Sequence, residues 1–189
     1  IPSYKGEATI LSTLDSIAKQ KNIDLSILEV LVIINGELDN SPNLIKEYIN
    51  SKPNIDIKTT ILKKAGASLA RNYGIKKATK EYVVFCDDDD MLSPNYLASL
   101  YKIASKNTLG FSYIHDLNVD GTMNSDNAIN RALIKANQEQ NQDLKNLTSA
   151  LTMIACKIIP TLNLKKLKFD ETLRSGEDVV FFSKYYCDF

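Results

Sequence analysis

Apolar and polar residues alternate along this chain with two different periods, and segments of the two kinds follow one another. Apolar residues that recur every three to four positions predict amphipathic helices, and short apolar or alternating runs predict strands. Helices are expected at 7–20, from Ser41 onward, at 67–78 and at 95–105. Strands are expected at 29–34, 55–62, 82–86, 111–117 and 152–159. Strands separated by helices pair in parallel, so the pattern predicts an α/β fold with three α/β/α layers and a mostly parallel central sheet.

Two segments of the second half stand apart from this alternation. The stretch 124–146 is rich in Asn, Gln and Asp, and its helical pattern is broken, so we expect a polar helical excursion over the carboxyl edge of the sheet. A last helix is expected after Gly176, with Glu177 and Asp178 in its first turn. The helix dipole alone explains carboxylates at that position, and a chemical role is the alternative.

Four consecutive carboxylates, Asp87–Asp90, follow the apolar run that starts at Tyr82. Ligands of open α/β sheets bind just beyond the carboxyl ends of the strands. Side chains of an extended chain alternate, so Asp87 and Asp89 are expected on one side, where they can share a hard divalent cation. A solvated acidic loop is the alternative, but Ser93-Pro94 starts a helix directly afterwards and favours a metal or phosphate site.

The amino-acid composition limits the classes of protein to which this chain can belong. The 189 residues, 44% of them hydrophobic, are enough for one globular domain with a core. Lys+Arg and Asp+Glu both number 23, and no basic stripe is present, so we expect no nucleic-acid partner. Three widely spaced cysteines predict reduced thiols in a cytoplasmic protein. No apolar run reaches the ~18 residues of a spanning helix, which leaves peripheral association with the inner face of a membrane open.

Four segments, taken together and in order, resemble glycosyltransferase family 2 with its Rossmann-like GT-A fold. They are IPSYKGE, VIINGELD, KKAGASLARNYGIKKATKEYVVFCDDDD and FDETLRSGEDVVFF. The resemblance covers nearly the whole chain and implies a single GT-A domain over 1–189, with both ends trimmed. It further implies a nucleotide-sugar-binding half at 1–120 and an acceptor-binding half at 121–189.

The resemblance implies an inverting hexosyl- or N-acetylhexosaminyltransferase that uses a nucleotide-sugar. The DxD motif of the family matches Asp87-Asp88-Asp89. On this basis Asp89 is a ligand of Mn²⁺ or Mg²⁺, and Asp87 contacts the donor ribose or the water shell of the metal. Asp178 matches the general base of the family, and Glu177 positions the acceptor or Asp178 itself.

The resemblance also implies where the donor lies. Its nucleoside is expected against the loop after the first strand and beside the GASLARN segment. Many members carry an aspartate that contacts uracil where this chain has Asn35, and an amide can also bind a pyrimidine edge. UDP is therefore the expected nucleotide, with GDP and CDP left open. The implied donor-binding residues are Pro2, Ser3, Tyr4, Glu7, Asn35, Arg71, Asp87 and Asp88.

Two other functions remain open at this stage. One is a non-catalytic nucleotide-sugar-binding module of a larger polysaccharide-synthesis protein. The other is a metal-dependent phosphatase with Asp87 as nucleophile, although such enzymes carry Thr or Val where this chain has Met91. For the transferase, the expected acceptor is a glycan, a lipid-linked or another hydroxyl compound, within a bacterial surface-polysaccharide pathway.

Overall fold

The computed structural model describes residues 1–51, 55–106, 108–118, 120–138 and 147–189. The α/β fold predicted from the sequence is confirmed, with helices between the strands of the first half. The helices are α1 (Ile10–Ala18), α2 (Ser41–Ser51), α3 (Ala67–Lys77), α4 (Tyr96–Ile103), α5 (Ala128–Gln138), α6 (Thr148–Thr152), α7 (Thr161–Leu164) and α8 (Glu177–Asp188), with a 3-10 turn at Leu25–Ile27. Of the polar stretch 124–146, α5 is described, and 139–146 lies outside the described residues.

A parallel sheet forms the first half of the structure. The strands are β1 (Pro2–Ser3), β2 (Glu29–Asn35) and β3 (Asp56–Leu62), in spatial order β1-β2-β3. The register pairs Pro2 with Ile33, and Asn35 with Leu62. The carboxyl ends of these strands therefore meet at one edge of the sheet, together with the loops that follow β1 and β2.

A second sheet is antiparallel, which the sequence pattern did not predict. Strand β8 (Lys157–Pro160) runs between β4 (Tyr82–Val83) and β5 (Gly110–Phe111), and β6 (Asp116–Leu117) forms a hairpin with β7 (Met123–Asn124). The single strand expected at 111–117 is thus two short strands. The strand expected at 152–159 begins only at Lys157, because α6 ends at Thr152 and residues 154–156 form bends that lead into β8.

Of the three apolar clusters found among the described residues, two form most of the core. On one side, Ile10 and Leu14 of α1 pack against Val32 and Ile34 of β2. On the other side, aromatic side chains of α8 pack against the loop that precedes this helix. The rings of Phe181 in α8 and Phe169 in the loop stack with centroids 3.9 Å apart. This second cluster fixes the start of α8 below the carboxyl edge of the sheet.

All three cysteines are free thiols. Cys86 and Cys156 are buried, and burial raises the pKa of the Cys86 thiol to about 12. Cys187, in the last turn of α8, is exposed. None of the helices in the described ranges is both long and apolar enough to cross a membrane.

Candidate active site

Asp87–Asp90 form a tight turn, because the amide of Asp90 donates to the carbonyl of Asp87 at 3.2 Å. The expectation that Asp87 and Asp89 share one side of an extended chain is therefore wrong, since the regular strand ends at Val83. Four neighbouring carboxylates repel one another less when a turn spreads them. Desolvation raises the pKa of Asp90, and the carboxylates of Asp87 and Asp89 raise it further.

Arg71 joins the acidic turn to the start of α8. Its Nη2 donates to Oδ1 of Asp87 at 3.2 Å, and its Nη1 donates to Oε1 of Glu177 at 2.8 Å. The side chain of Arg71 is only 7% exposed, and its guanidinium lies 5.8 Å from the ring centroid of Phe169. One buried cation thus brings together two acidic motifs that are far apart in the sequence.

Asp88 faces away from Arg71, toward the loop after β1. The hydroxyl of Ser3 donates to Oδ2 of Asp88 at 2.6 Å, and the hydroxyl of Thr13 donates to its carbonyl at 2.9 Å. Gly6 is required here, because a Cβ at that position would lie 2.3 Å from Oδ2 of Asp88. Burial raises the pKa of Asp88, while the hydrogen bond from Ser3 lowers it. Asp88 therefore braces the loop in which the nucleoside was expected.

That loop is also fastened to the loop after β2. The amide of Glu7 donates to Oδ2 of Asp39, and the amide of Asn40 donates to Oε2 of Glu7, both at 2.9 Å. Tyr4 is half exposed, and its ring edge would lie 3.0 Å from a Cβ on Gly36. Tyr4 and Glu7 thus form an exposed ledge, with Pro2 partly buried and Ser3 buried behind it. The ammonium of Lys5 lies 5.7 Å from the ring centroid of Tyr4.

Asn35 is buried between β1 and the start of α3. Its Nδ2 donates to the carbonyl of Ser3, and its Oδ1 accepts from the amide of Gly66, both at 2.8 Å. The amide group thus holds the end of β1 against the loop that leads to Arg71. Contact of Asn35 with a nucleotide base stays a prediction.

Replacing Asn35 with Ala is expected to destabilise the fold by about 1–3 kcal/mol, because the Ser3 carbonyl and the Gly66 amide lose these partners. Urea unfolding followed by circular dichroism measures the change. Asn43→Ala is the matched control, since the amide of Asn43 bonds only an exposed side chain, that of Asn40. Equal unfolding midpoints for the two variants would contradict this role of Asn35.

Asp178 lies in the first turn of α8, directly after Glu177. Gly176 precedes the helix with φ +73°, a left-handed conformation that favours glycine. Oδ1 of Asp178 accepts from the amide of Val179 at 2.9 Å, and the helix dipole stabilises its negative charge. The carboxylate is partly exposed, as a group that meets a substrate must be.

The acidic turn has the donor chemistry that Mn²⁺ or Mg²⁺ requires. Asp89 is exposed, the side chain of Asp87 is 40% exposed, and both offer hard oxygen ligands. No group of three acidic, His or Cys side chains in the described ranges forms a closed metal site. Mg²⁺ typically binds one or two carboxylates and completes its shell with phosphate oxygens and water, so the residues present fit an ion that arrives with a diphosphate.

Sequence reasoning missed two features around this site. Asn72 holds the loop before α8, because its side chain bonds both the amide and the carbonyl of Phe169 at 2.8 and 2.9 Å. Lys157 is completely buried beneath α8. A lone lysine inside the apolar run 152–159 was the available signal for it, whereas nothing in the local pattern distinguishes Asn72.

Comparisons with known proteins bear on the whole chain. The family model "Glycosyl transferase family 2" matches residues 1–162. The poly(ribitol-phosphate) beta-N-acetylglucosaminyltransferase TarS of Staphylococcus aureus is 27% identical over 188 residues, which cover 98% of this chain and 31% of TarS. The minor teichoic acid biosynthesis protein GgaB of Bacillus subtilis is 26% identical over 180 residues, 94% of this chain and 19% of GgaB. The chain thus spans less than a third of the length of these relatives.

Solved structures show the same fold. The crystal structure of S. aureus TarS in complex with UDP superposes with a TM-score of 0.74 at 25% identity, covering 98% of this chain and 53% of that one. The complex of TarS with UDP-GlcNAc gives a TM-score of 0.73 at 25% identity, with 98% and 51% covered. These alignments include α8, which lies beyond the residues that the family model matches.

Proposed function

This chain belongs to glycosyltransferase family 2, with the GT-A fold, and from that premise we propose that it transfers a sugar from a UDP-sugar to an acceptor hydroxyl with inversion. The observation that carries the proposal is the pair of bonds from Arg71 to Asp87 and to Glu177. They bring the acidic turn, where a diphosphate would bind, next to Asp178, where a hydroxyl would be deprotonated.

The chain's own residues account for most of the donor site. The ledge with Tyr4 and Glu7 at its surface would hold the nucleoside, and Pro2, Ser3, Asn35 and Asp88 would fix the shape of that ledge. Asp87 and Asp89 would hold Mn²⁺ or Mg²⁺, and the ion would neutralise the charge of the leaving diphosphate. Arg71 would keep Asp87 oriented, and its guanidinium is also close enough to the turn to meet a phosphate oxygen.

Asp178 would act as the general base. It would take the proton of the acceptor hydroxyl while the oxygen attacks the anomeric carbon from the face opposite the phosphate. Attack from that face inverts the configuration of the sugar. Glu177 is tied to Arg71, so it would fix the first turn of α8 and thereby the direction of Asp178.

Similarity to TarS supports an N-acetylhexosamine donor, and similarity to TarS and GgaB supports a teichoic-acid-type polymer as acceptor. We propose both as the first to be tested. The small share of each relative that the chain covers also favours a second candidate. In that case the chain is a non-catalytic nucleotide-sugar-binding module of a larger polysaccharide-synthesis protein. The family assignment leaves the aspartyl-phosphatase alternative without support.

Calorimetric titration of UDP, with GDP and CDP alongside, tests the donor site. We expect UDP to bind in Mn²⁺ and to lose its affinity in EDTA and in Asp89→Asn. Asp56→Asn is the matched control, because Asp56 lies at the amino end of β3, at the opposite edge of the sheet. Preference for GDP or CDP would overturn the choice of base, and no binding in any condition would contradict the proposal.

Release of UDP from UDP-N-acetylhexosamines then distinguishes the transferase from the module. We expect turnover with a polyol-phosphate polymer as acceptor. Binding of the donor without transfer or hydrolysis would favour the non-catalytic module instead.

A further inference from the structure

Lys157 has no exposed surface, although it is a lysine at the start of an otherwise apolar strand. All four residues of β8 are buried, and the side chain of Lys157 is 0% exposed. An ammonium loses its hydration when it is buried, and the loss is compensated only where the surroundings supply acceptors or negative charge. The partners of Lys157 therefore indicate what this charge does.

Two carbonyl oxygens at the end of α6 accept hydrogen bonds from the ammonium. Nζ of Lys157 donates to the carbonyl of Ala150 at 2.6 Å and to that of Met153. The last carbonyls of a helix have no partner within it and carry partial negative charge. Lys157 thus caps the carboxyl end of α6 and links this helix to β8.

Helix α8 supplies the other surroundings of the charge. Nζ of Lys157 lies 4.5 Å from the ring centroid of Phe182, and the ring of Phe111 in β5 lies at 5.3 Å. Phe182 is one turn after Asp178, so the two side chains lie on the same face of α8. The carboxylate of Asp178 also attracts the ammonium.

The backbone just before Lys157 is strained. Cys156 has φ +60°, in the left-handed region that is unfavourable for a residue other than glycine. This turn reverses the chain between α6 and β8, so that the lysine reaches carbonyls only four and seven positions earlier. Strain of this kind persists where the surrounding structure requires the conformation.

We infer that Lys157 is a positioning residue for Asp178: its buried charge holds α6 against the aromatic face of α8 and so fixes the first turn of that helix. The inference rests on the proposed function, because it assigns Asp178 the role of base. A second contact between α6 and α8 carries no charge, since the hydroxyl of Tyr186 donates to the carbonyl of Leu151 at 2.8 Å.

The protonation of Lys157 can be followed through the pH dependence of stability and of activity. Burial lowers the pKa of Lys157 from 10.5 to about 8, while the Cys156 thiol beside it and Asp178 on α8 raise it. Because the folded pKa lies below the unfolded one, stability rises as pH increases from about 8 to 10.5. Activity that depends on the ammonium instead falls as the pH passes the folded pKa of about 8, so the two effects have opposite signs.

The test compares Lys157→Met and Lys157→Arg with the intact chain, using UDP release for kcat and urea unfolding for stability, from pH 6 to 10. Lys157→Met is expected to lower kcat by about 10- to 100-fold, the loss typical of a displaced catalytic group, with nucleotide affinity unchanged. It should also remove the rise in stability above pH 8. Lys157→Arg, whose charge persists, should restore much of kcat and move its alkaline limb upward.

Tyr186→Phe is the matched control, because it removes a contact of α6 with α8 without changing the charge. Unchanged kcat in a folded Lys157→Met would overturn the inference, and so would an alkaline limb that Lys157→Arg leaves in place. If the intact chain shows no turnover, the proposed function fails separately. Hydrogen exchange then decides: faster exchange in α6 and the first turn of α8, but not in α3, supports the inference, and unchanged exchange overturns it.

Discussion

Replacing Asp178 with Asn is expected to lower sugar transfer by about 10²–10⁴-fold, the contribution typical of a general base. The amide keeps the shape of the side chain but cannot take the proton of the acceptor hydroxyl. Affinity for UDP should stay unchanged, because Asp178 lies on α8 and not on the nucleoside ledge. Single-turnover release of UDP from UDP-N-acetylhexosamine, with acceptor in excess, isolates this step.

Asp188→Asn makes the same change at the last position of the same helix, on an exposed residue, and should leave the rate intact. Near-normal turnover in Asp178→Asn would exclude the role of base. The only remaining role of the carboxylate would be to stabilise the amino end of α8 through the helix dipole.

Replacing Arg71 with Ala is expected to have the second-largest effect, on both activity and stability. It leaves Asp87 and Glu177 without their shared cation. Removal of one partner from a fully buried ion pair costs roughly 3–5 kcal/mol. The side chains of Asp87 and Glu177 are 40% and 18% exposed, so water can take over part of the contact, and we expect about 2 kcal/mol.

The same change should lower kcat/KM by about 100-fold, because the acidic turn and α8 lose their common anchor and small displacements of catalytic groups are costly. Arg131→Ala is the matched control. Its pair with Asp126 is exposed on both sides, so its loss should cost less than about 1 kcal/mol. Arg71→Lys separates charge from geometry, since an ammonium cannot bond both carboxylates in the fork that a guanidinium provides.

Equal unfolding midpoints for Arg71→Ala and Arg131→Ala would show that the bonds from Arg71 add nothing to stability. Activity of Arg71→Ala within threefold of the intact chain would contradict the claim that this guanidinium holds the two acidic motifs in register. Loss of UDP affinity with intact kcat would assign Arg71 to the donor alone.

The sequence predicts the helices and strands that have a regular apolar pattern. It does not predict the segments in which an apolar run is interrupted by charge or by an unusual backbone conformation. Helices α1 to α4 and strands β2 and β3 follow their apolar patterns closely, and the continuous apolar run of β2 is buried on both faces. The run from Tyr82 is paired as a strand over two residues only, because its antiparallel partner β8 is short, and the carboxylates beyond it form a turn. The run 152–159 forms a strand only from Lys157, because the left-handed conformation of Cys156 interrupts the extended chain just before it.

The sequence predicts which types of residue form the site, but not which side chains and backbone groups contact one another. Acidic pairs at a strand end and at a helix start can be recognised from local sequence. The bond between Arg71 and Glu177 spans 106 positions, and the partners of Lys157 are backbone carbonyls, which no side-chain pattern reveals. Asn35 shows the same limit, since its contacts join two loops that are brought together only by the fold.

Cys187 gives this chain a ready position for a spectroscopic label. The thiols of Cys86 and Cys156 are buried, and burial raises the pKa of both, so a maleimide at neutral pH should react at Cys187 alone. A fluorophore there would sit on the helix whose first turn carries Asp178. Its emission could then report in real time, without any engineered substitution, whether that helix moves when nucleotide and acceptor arrive.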